Sequence, residues 1–259
     1  MSHPVSLKQL SWHYGTQQVL KDITQEIRGG CFTAILGPNG SGKTTMLKLL
    51  MRMLKPEADH VTLDGEDILS YPRRELARRI GSVPQHSSRE HPYKVYEMVL
   101  MGRYPHKGRF EAMSTSDHDI VRRALKTTEV YHLKNHSILE VSGGELQRVI
   151  ISRALAQEPD ILALDEPTSH LDPRHQLSIL HLLKHLVSDR DITVMCVLHD
   201  LNSAMHFSDR VILLDQGRIA GYGHTEQVLT PEHIKRVYGV DTQVRRFDGD
   251  RPHILFIGS

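Results

Sequence analysis

Gly37-Pro38-Asn39-Gly40-Ser41-Gly42-Lys43-Thr44-Thr45 is the stretch on which the reading of this chain turns. It fits the pattern Gly-x-x-x-x-Gly-Lys-[Ser/Thr], and its flanks fit as well. Phe32 to Leu36 is a short apolar strand signal, and Thr44 to Leu54 is rich in Leu and Met with Lys48 and Arg52 interspersed, a helix signal. Strand, glycine turn and helix in that order make a loop whose backbone N–H groups turn inward around phosphate, backed by the partial positive charge of a helix start. In such a loop Lys43 reaches the β and γ phosphates and Thr44 offers its hydroxyl to Mg²⁺. A second segment, Ile161-Leu-Ala-Leu-Asp165-Glu166, is an apolar strand ending in two acids. Asp165 is the carboxylate on the metal side; Glu166, one residue on, is placed to orient and deprotonate an attacking water.

Working outward, Val5 to Ile27 is broken at Gly15 and at Gly29-Gly30 into short β-branched runs, the pattern of an antiparallel lobe. From about residue 84 to 157 the chain reads as helical. Ile120, Val121, Ala124, Leu125 and Thr128 share one helical face, and so do Leu146, Val149, Ile150 and Ala154. Strand and helix signals then alternate: residues 160–164, a helix opened by Asp172-Pro173, residues 192–198, a helix from Asp200, residues 211–214. Such alternation predicts a largely parallel sheet with helices on its faces. The expected architecture is α/β: a P-loop NTPase core with a mainly parallel sheet, an N-terminal antiparallel lobe and an inserted helical lobe. It forms one domain over residues 1–259, with a short extension from about 225.

Composition narrows the function. Lys plus Arg number 32 against 31 Asp plus Glu, a formal charge of +1, so no basic field points to nucleic acid. The longest apolar runs fall far short of the roughly 18 residues of a membrane span, and the N-terminus lacks the pattern of a secretory signal. The expected location is the cytoplasm. Cys31 and Cys196 sit in apolar strand-like contexts, which predicts reduced structural thiols. Among 18 His, His181/His185 and His132/His136 have i,i+4 spacing but no accompanying Glu, and read as solvated helix faces. The basic run Arg73 to Arg79 reads the same way.

Val141-Ser142-Gly143-Gly144-Glu145-Leu-Gln-Arg148 lies between the phosphate loop and the acidic strand, and the acids continue into Pro167-Thr-Ser169-His-Leu-Asp172. Ser142-x-x-Glu145 is a capping box at a helix start. The same segment resembles the signature sequence of the ABC ATPases, and 167–172 is similar to their D-loop. The resemblance covers most of the chain in the family's motif order, with Val141 and Glu145 standing where Leu and Gln are commoner.

The resemblance implies a subunit that binds ATP and Mg²⁺ and hydrolyses ATP. Ser142, Gly143, Gly144 and Glu145 would face the γ-phosphate held by the other subunit of a head-to-tail homodimer. It also implies that Gln85 senses Mg²⁺ and the water, that His199 is the switch histidine on the γ-phosphate, and that Tyr14 stacks on adenine. Transmembrane permease subunits would be the direct partners, a substrate-binding protein an indirect one. Met98 to His106 (with Gly102-Arg103-Tyr-Pro-His106), Gln227 to Glu232 and Val237-Tyr-Gly-Val240 look like the subgroup importing ferric siderophores, haem and cobalamin, although Lys94 replaces its usual Thr. Alternatives are import of zinc, manganese or molybdate, and a non-transport ABC ATPase. The latter lacks a coiled-coil heptad segment here and, for the translation-factor group, a second P-loop. An unrelated P-loop kinase is opposed by Ser142-Gly-Gly and His199.

Overall fold

The computed structural model describes residues 3–85, 91–247 and 251–257; residues 86–90 of the helical stretch and 248–250 and 258–259 of the tail lie outside the described residues. The chain forms two compact units, residues 1–70 with 183–259, and residues 71–182.

In the first unit β1 (Val5–Tyr14) and β2 (Gln17–Ile27) pair antiparallel around Gly15, whose φ of 57° is one a side chain resists. Their inward residues, Leu7, Leu10, Leu20 and Ile23, are fully buried or nearly so. β3 (Phe32–Leu36) is buried at every position, and α1 (Lys43–Leu50) follows the glycine loop. β4 (Val61–Leu63) and β5 (Glu66–Asp67) complete the antiparallel sheet beside β1.

The second unit opens with α2 (Arg73–Arg79) and β6 (Ile80–Val83). The basic run is partly engaged: Arg73 and Arg74 are exposed, but Arg79 pairs with Asp160 at 2.7 Å and Arg78 donates to the Pro105 carbonyl at 2.9 Å. Three helices follow, α3 (Val95–Leu100), α4 (Thr115–Thr127) and α5 (Gly143–Leu155). The expected faces of α4 and α5 are the buried ones, Thr128 included. Lys94 stands at the N-cap of α3 without a side-chain cap; the Glu97 carboxylate takes the Lys94 N–H instead, at 2.9 Å. β7 (Ile161–Asp165), buried throughout, runs parallel to β6, and α6 (Pro173–Arg190) leads out of the unit.

Back in the first unit, β8 (Thr193–Val197), α7 (Leu201–Phe207), β9 (Arg210–Asp215) and β10 (Arg218–His224) follow. β3 lies between β8 and β9, parallel to both, and β10 returns antiparallel on β9. Cys31 and Cys196 are buried thiols here, not joined in a disulfide. α8 (Thr225–Val228), α9 (Pro231–Tyr238) and the hairpin of β11 (Thr242–Arg245) and β12 (His253–Phe256) form the extension. Asn202 of α7 clamps Ile254 through both amide atoms, at 2.8 and 3.0 Å.

The Gly102 to His106 segment is largely a structural device of the second unit. A Cβ at Gly102 would stand 2.2 Å from the Arg153 carbonyl oxygen, so only glycine lets the segment approach the end of α5. Arg103 then donates to the Ala156 carbonyl at 2.7 Å and His106 to the Gln157 carbonyl at 2.8 Å, two basic side chains capping the C-terminal end of α5. Burial pushes the His106 pKa down. Arg103, itself buried, also pairs with Asp117 and Glu158, each at 3.0 Å, and Lys107 meets Asp117 at 2.5 Å. Burial alone would raise the Asp117 pKa. Hydrogen bonds from Lys107, Ser114 and Arg103 win and hold it far below the usual carboxylate range.

Arg103→Ala removes one side of this buried cluster and should cost about 3 kcal/mol, because buried carboxylate is left under-compensated. The depressed carboxyl makes the contribution complete above the ordinary value of 3.8 and lost as pH falls below it. Melting curves from pH 7 to pH 3 should therefore show a lower Tm for the variant at neutral pH and a difference that narrows in acid.

Candidate functional site

The glycine loop is built from inside outward. Gly37 (φ 151°), Gly40 (φ 78°) and Gly42 (φ 101°) all adopt backbone that favours glycine. At Gly37 space adds a second reason: a Cβ would lie 2.2 Å from the Leu214 carbonyl oxygen on β9 and 2.6 Å from Ser41 Oγ. Gly40, at the exposed tip with Asn39, has nothing within 4 Å. Lys43 is only 6 % exposed, and its Nζ donates to the Gly37 and Pro38 carbonyls at 2.8 and 3.0 Å. Ser41 Oγ is buried with no hydrogen-bond partner among the described residues. A buried ammonium, inward-turned backbone and an unmatched hydroxyl are what an anionic phosphate satisfies. Thr44 and Thr45 begin α1 behind them.

Two more residues that the resemblance singles out lie in the first unit. Tyr14, at the end of β1, is 46 % exposed and edge-on to Trp12, with ring centroids 6.1 Å apart. Its open face suits stacking. His199 is exposed immediately after β8, and Asp200 caps α7 by accepting from the Asn202 and Ser203 amides. The tail motif around Tyr238 gave no sign of one support: Tyr238, at the end of α9, has its pKa pushed up to about 12 by burial, against a backbone hydrogen bond with Gly37. The extension thus reaches the first glycine of the loop.

The second unit holds the acids. Asp165 ends β7 and is 6 % exposed, whereas Glu166 turns outward in the left-handed region at φ 50°, a conformation that costs about 1 kcal/mol or more and clusters at functional sites. The turn is held by Ser169, whose backbone N–H and hydroxyl both donate to the Glu166 carbonyl, at 3.1 and 2.9 Å. Gln85 Nε2 donates to Glu166 Oε2 at 2.6 Å. The pair therefore comes as one group, with the glutamine's amide oxygen left as an acceptor.

The signature segment forms the capping box its spacing predicts. Ser142 Oγ accepts from the Glu145 N–H at 3.3 Å, and the Ser142 N–H donates to Glu145 Oε2 at 2.8 Å. Hydrogen bonds from the Ser142 backbone and side chain hold the Glu145 pKa below its ordinary value. Gly143 and Gly144 begin α5 with their amides unencumbered by side chains, a helix start suited to an anion. The D-loop beside it is pinned by Gln176, whose amide donates to the Thr168 and Leu171 carbonyls at 3.2 and 3.0 Å. Sequence reasoning passed over Gln176 and His175, which lie just past the motif; the Asp172-x-x-His175 spacing was the available signal. His181 and His185 are exposed on α6.

A phosphate loop after a buried parallel strand, with a second parallel strand ending in paired acids, defines an α/β nucleotide-hydrolysing protein. Comparison with known proteins gives the narrower class. Residues 20–169 match the ABC transporter family. The ferric enterobactin transport ATP-binding protein of Escherichia coli is 42 % identical over 233 residues, 90 % of this chain and 86 % of that protein. A hemin import ATP-binding protein of Pseudomonas putida is 40 % identical over 248 residues, 94 % and 95 % of the two chains. Among solved structures, an inward-facing transporter described as of metal-chelate type superposes with a TM-score of 0.86 at 28 % identity, covering 99 % of this chain and 98 % of that one. The dimeric structure of a bacterial ABC transporter cassette gives 0.72 at 32 %, covering 85 % and 98 %. The chain belongs to the ATP-binding proteins of the ABC transporter family. It is an ATPase.

The two glycines make a contrast that nucleotide binding can read. Gly37→Ala forces Cβ against a backbone carbonyl and should weaken ATP binding at least tenfold, whereas Gly40→Ala meets open space and carries backbone strain alone. Titration of both variants with a fluorescent ATP analogue checks the order; equal Kd values would deny Gly37 its packing role.

Proposed function

We propose that this ATPase energises uptake of an iron chelate, ferric siderophore or haem, or of a cobalamin-like compound, through separate membrane permease subunits fed by a substrate-binding protein. The observation that supports this most is the pair of near-full-length relatives at 40–42 % identity, named for ferric enterobactin and hemin. Among the described residues no helix is long and apolar enough to cross a membrane, in keeping with a motor that works on a partner. The chain would sit on the cytoplasmic face of the membrane.

In this reading two copies pair head to tail, as in the dimeric cassette, and each ATP is shared. Lys43 and the backbone N–H groups of the loop 37–45, Pro38 excepted, hold the phosphates, Tyr14 the adenine, and His199 the γ-phosphate. Asp165 with Thr44 and the Gln85 amide oxygen offer the hard oxygen donors that Mg²⁺ takes; the ion would neutralise charge on the β and γ phosphates. Glu166, steadied by Gln85, takes the proton of the attacking water. Ser142, Gly143, Gly144 and Glu145 of the other copy complete the site.

Glu166→Gln should keep ATP binding and lower kcat at least a hundredfold, so that ATP-bound dimers accumulate; wild-type turnover would remove Glu166 as the base. Lys43→Ala and Ser142→Arg should each be inactive alone. Mixed together they should regain partial activity, because each mixed dimer keeps one intact composite site. For cargo, a deletion strain should lose uptake of labelled ferric siderophore, haem or cobalamin; loss confined to zinc, manganese or molybdate would move the chain to another importer class.

A further inference from the structure

Glycine at 144 has no backbone explanation: unlike the phosphate-loop glycines, it is not among those with positive φ. Its explanation is a neighbour. A Cβ there would lie 2.2 Å from Cδ2, 2.6 Å from Cγ and 2.9 Å from Nε2 of His175. The ring has little freedom to retreat. Asp172 Oδ1 accepts from the His175 backbone N–H at 3.0 Å and Oδ2 from the ring Nδ1 at 2.7 Å, so both ends of the residue are tied to one carboxylate. These bonds also hold the Asp172 pKa below its ordinary value, which keeps the acceptor charged. Gly143, by contrast, would place a Cβ 3.6 Å from Leu171 Cδ2, an ordinary contact.

We propose that His175 is a positioning residue of the ATPase: clamped by Asp172, its imidazole wedges against Gly144 and fixes the start of α5 to the loop 167–172, so that signature and D-loop move as one piece. The proposal rests on the reading above that the signature segment contacts ATP. Gly144 is then required by the wedge, and Gly143 is not. Loss of the ring should loosen the signature without touching the chain's own phosphate loop, lowering kcat while leaving the Kd for ATP unchanged.

A double-mutant cycle on the purified chain separates this from a role for Gly144 in phosphate approach alone. Gly144→Ala should lower kcat at least tenfold in the wild-type background. His175→Ala should lower kcat several-fold with ATP affinity retained, and in its background the penalty of Gly144→Ala should shrink below threefold. Where His175→Ala does not fold, as judged by its melting curve, Asp172→Ala carries the cycle: it removes both bonds that hold the residue and leaves the ring free to swing away from Gly144. An equal penalty for Gly144→Ala in both backgrounds overturns the proposal and leaves the signature's role standing. Full activity of Gly144→Ala in the wild-type background also overturns it, because the clash with the ring is then not felt; the signature reading falls separately, if Ser142→Arg hydrolyses ATP normally.

Discussion

A lysine ammonium inside a protein is tolerated only where its donors find acceptors, and Lys43 Nζ donates to two carbonyls of its own loop, those of Gly37 and Pro38. Gly37 itself takes a φ of 151° and lies against the Leu214 carbonyl, an approach closed to any side chain. Leu214 is placed there by β9 pairing parallel with β3, and Tyr238 reaches Gly37 because α9 packs back at the end of the extension. The sheet register, the loop and the tail of the first unit converge on that glycine.

The second unit is organised around the two ends of α5. Its start is fixed by the Ser142–Glu145 box and by the His175 ring on Gly144; its end is capped by Arg103 and His106. The segment that links this chain to chelate importers thus earns its residues mainly through internal geometry. Tyr104, 60 % exposed, is its one side chain plainly directed at solvent among Gly102 to His106.

Most of the architecture was legible because it rests on local signals. The strand, glycine turn and helix at residues 32–50, the capping box at Ser142 and the alternation from β7 to β9 all follow from residue type and spacing. What could not be read depends on contacts between segments distant in the chain. Nothing in Arg103 or Asp117 taken alone announces a buried ion cluster, and Tyr238 lies about two hundred residues from the glycine it supports. Lys94 read only as a departure from the subgroup's usual Thr; its place at the N-cap of α3, with its N–H taken by Glu97, shows only in the structure. The Gln85–Glu166 bond likewise joins residues whose proximity requires β6 and β7 to run side by side.

In the proposed dimer one γ-phosphate is held by the phosphate loop of one copy and the signature of the other. Vanadate, trapped with ADP and Mg²⁺ in place of that phosphate, cuts nearby backbone when irradiated, and mass spectrometry locates the cuts. Cleavage is expected at two places, near Ser41 in the loop and near Ser142 at the start of α5, with both lost in a Lys43→Ala chain that traps no vanadate. Cleavage confined to the phosphate loop in the wild-type protein would contradict that arrangement.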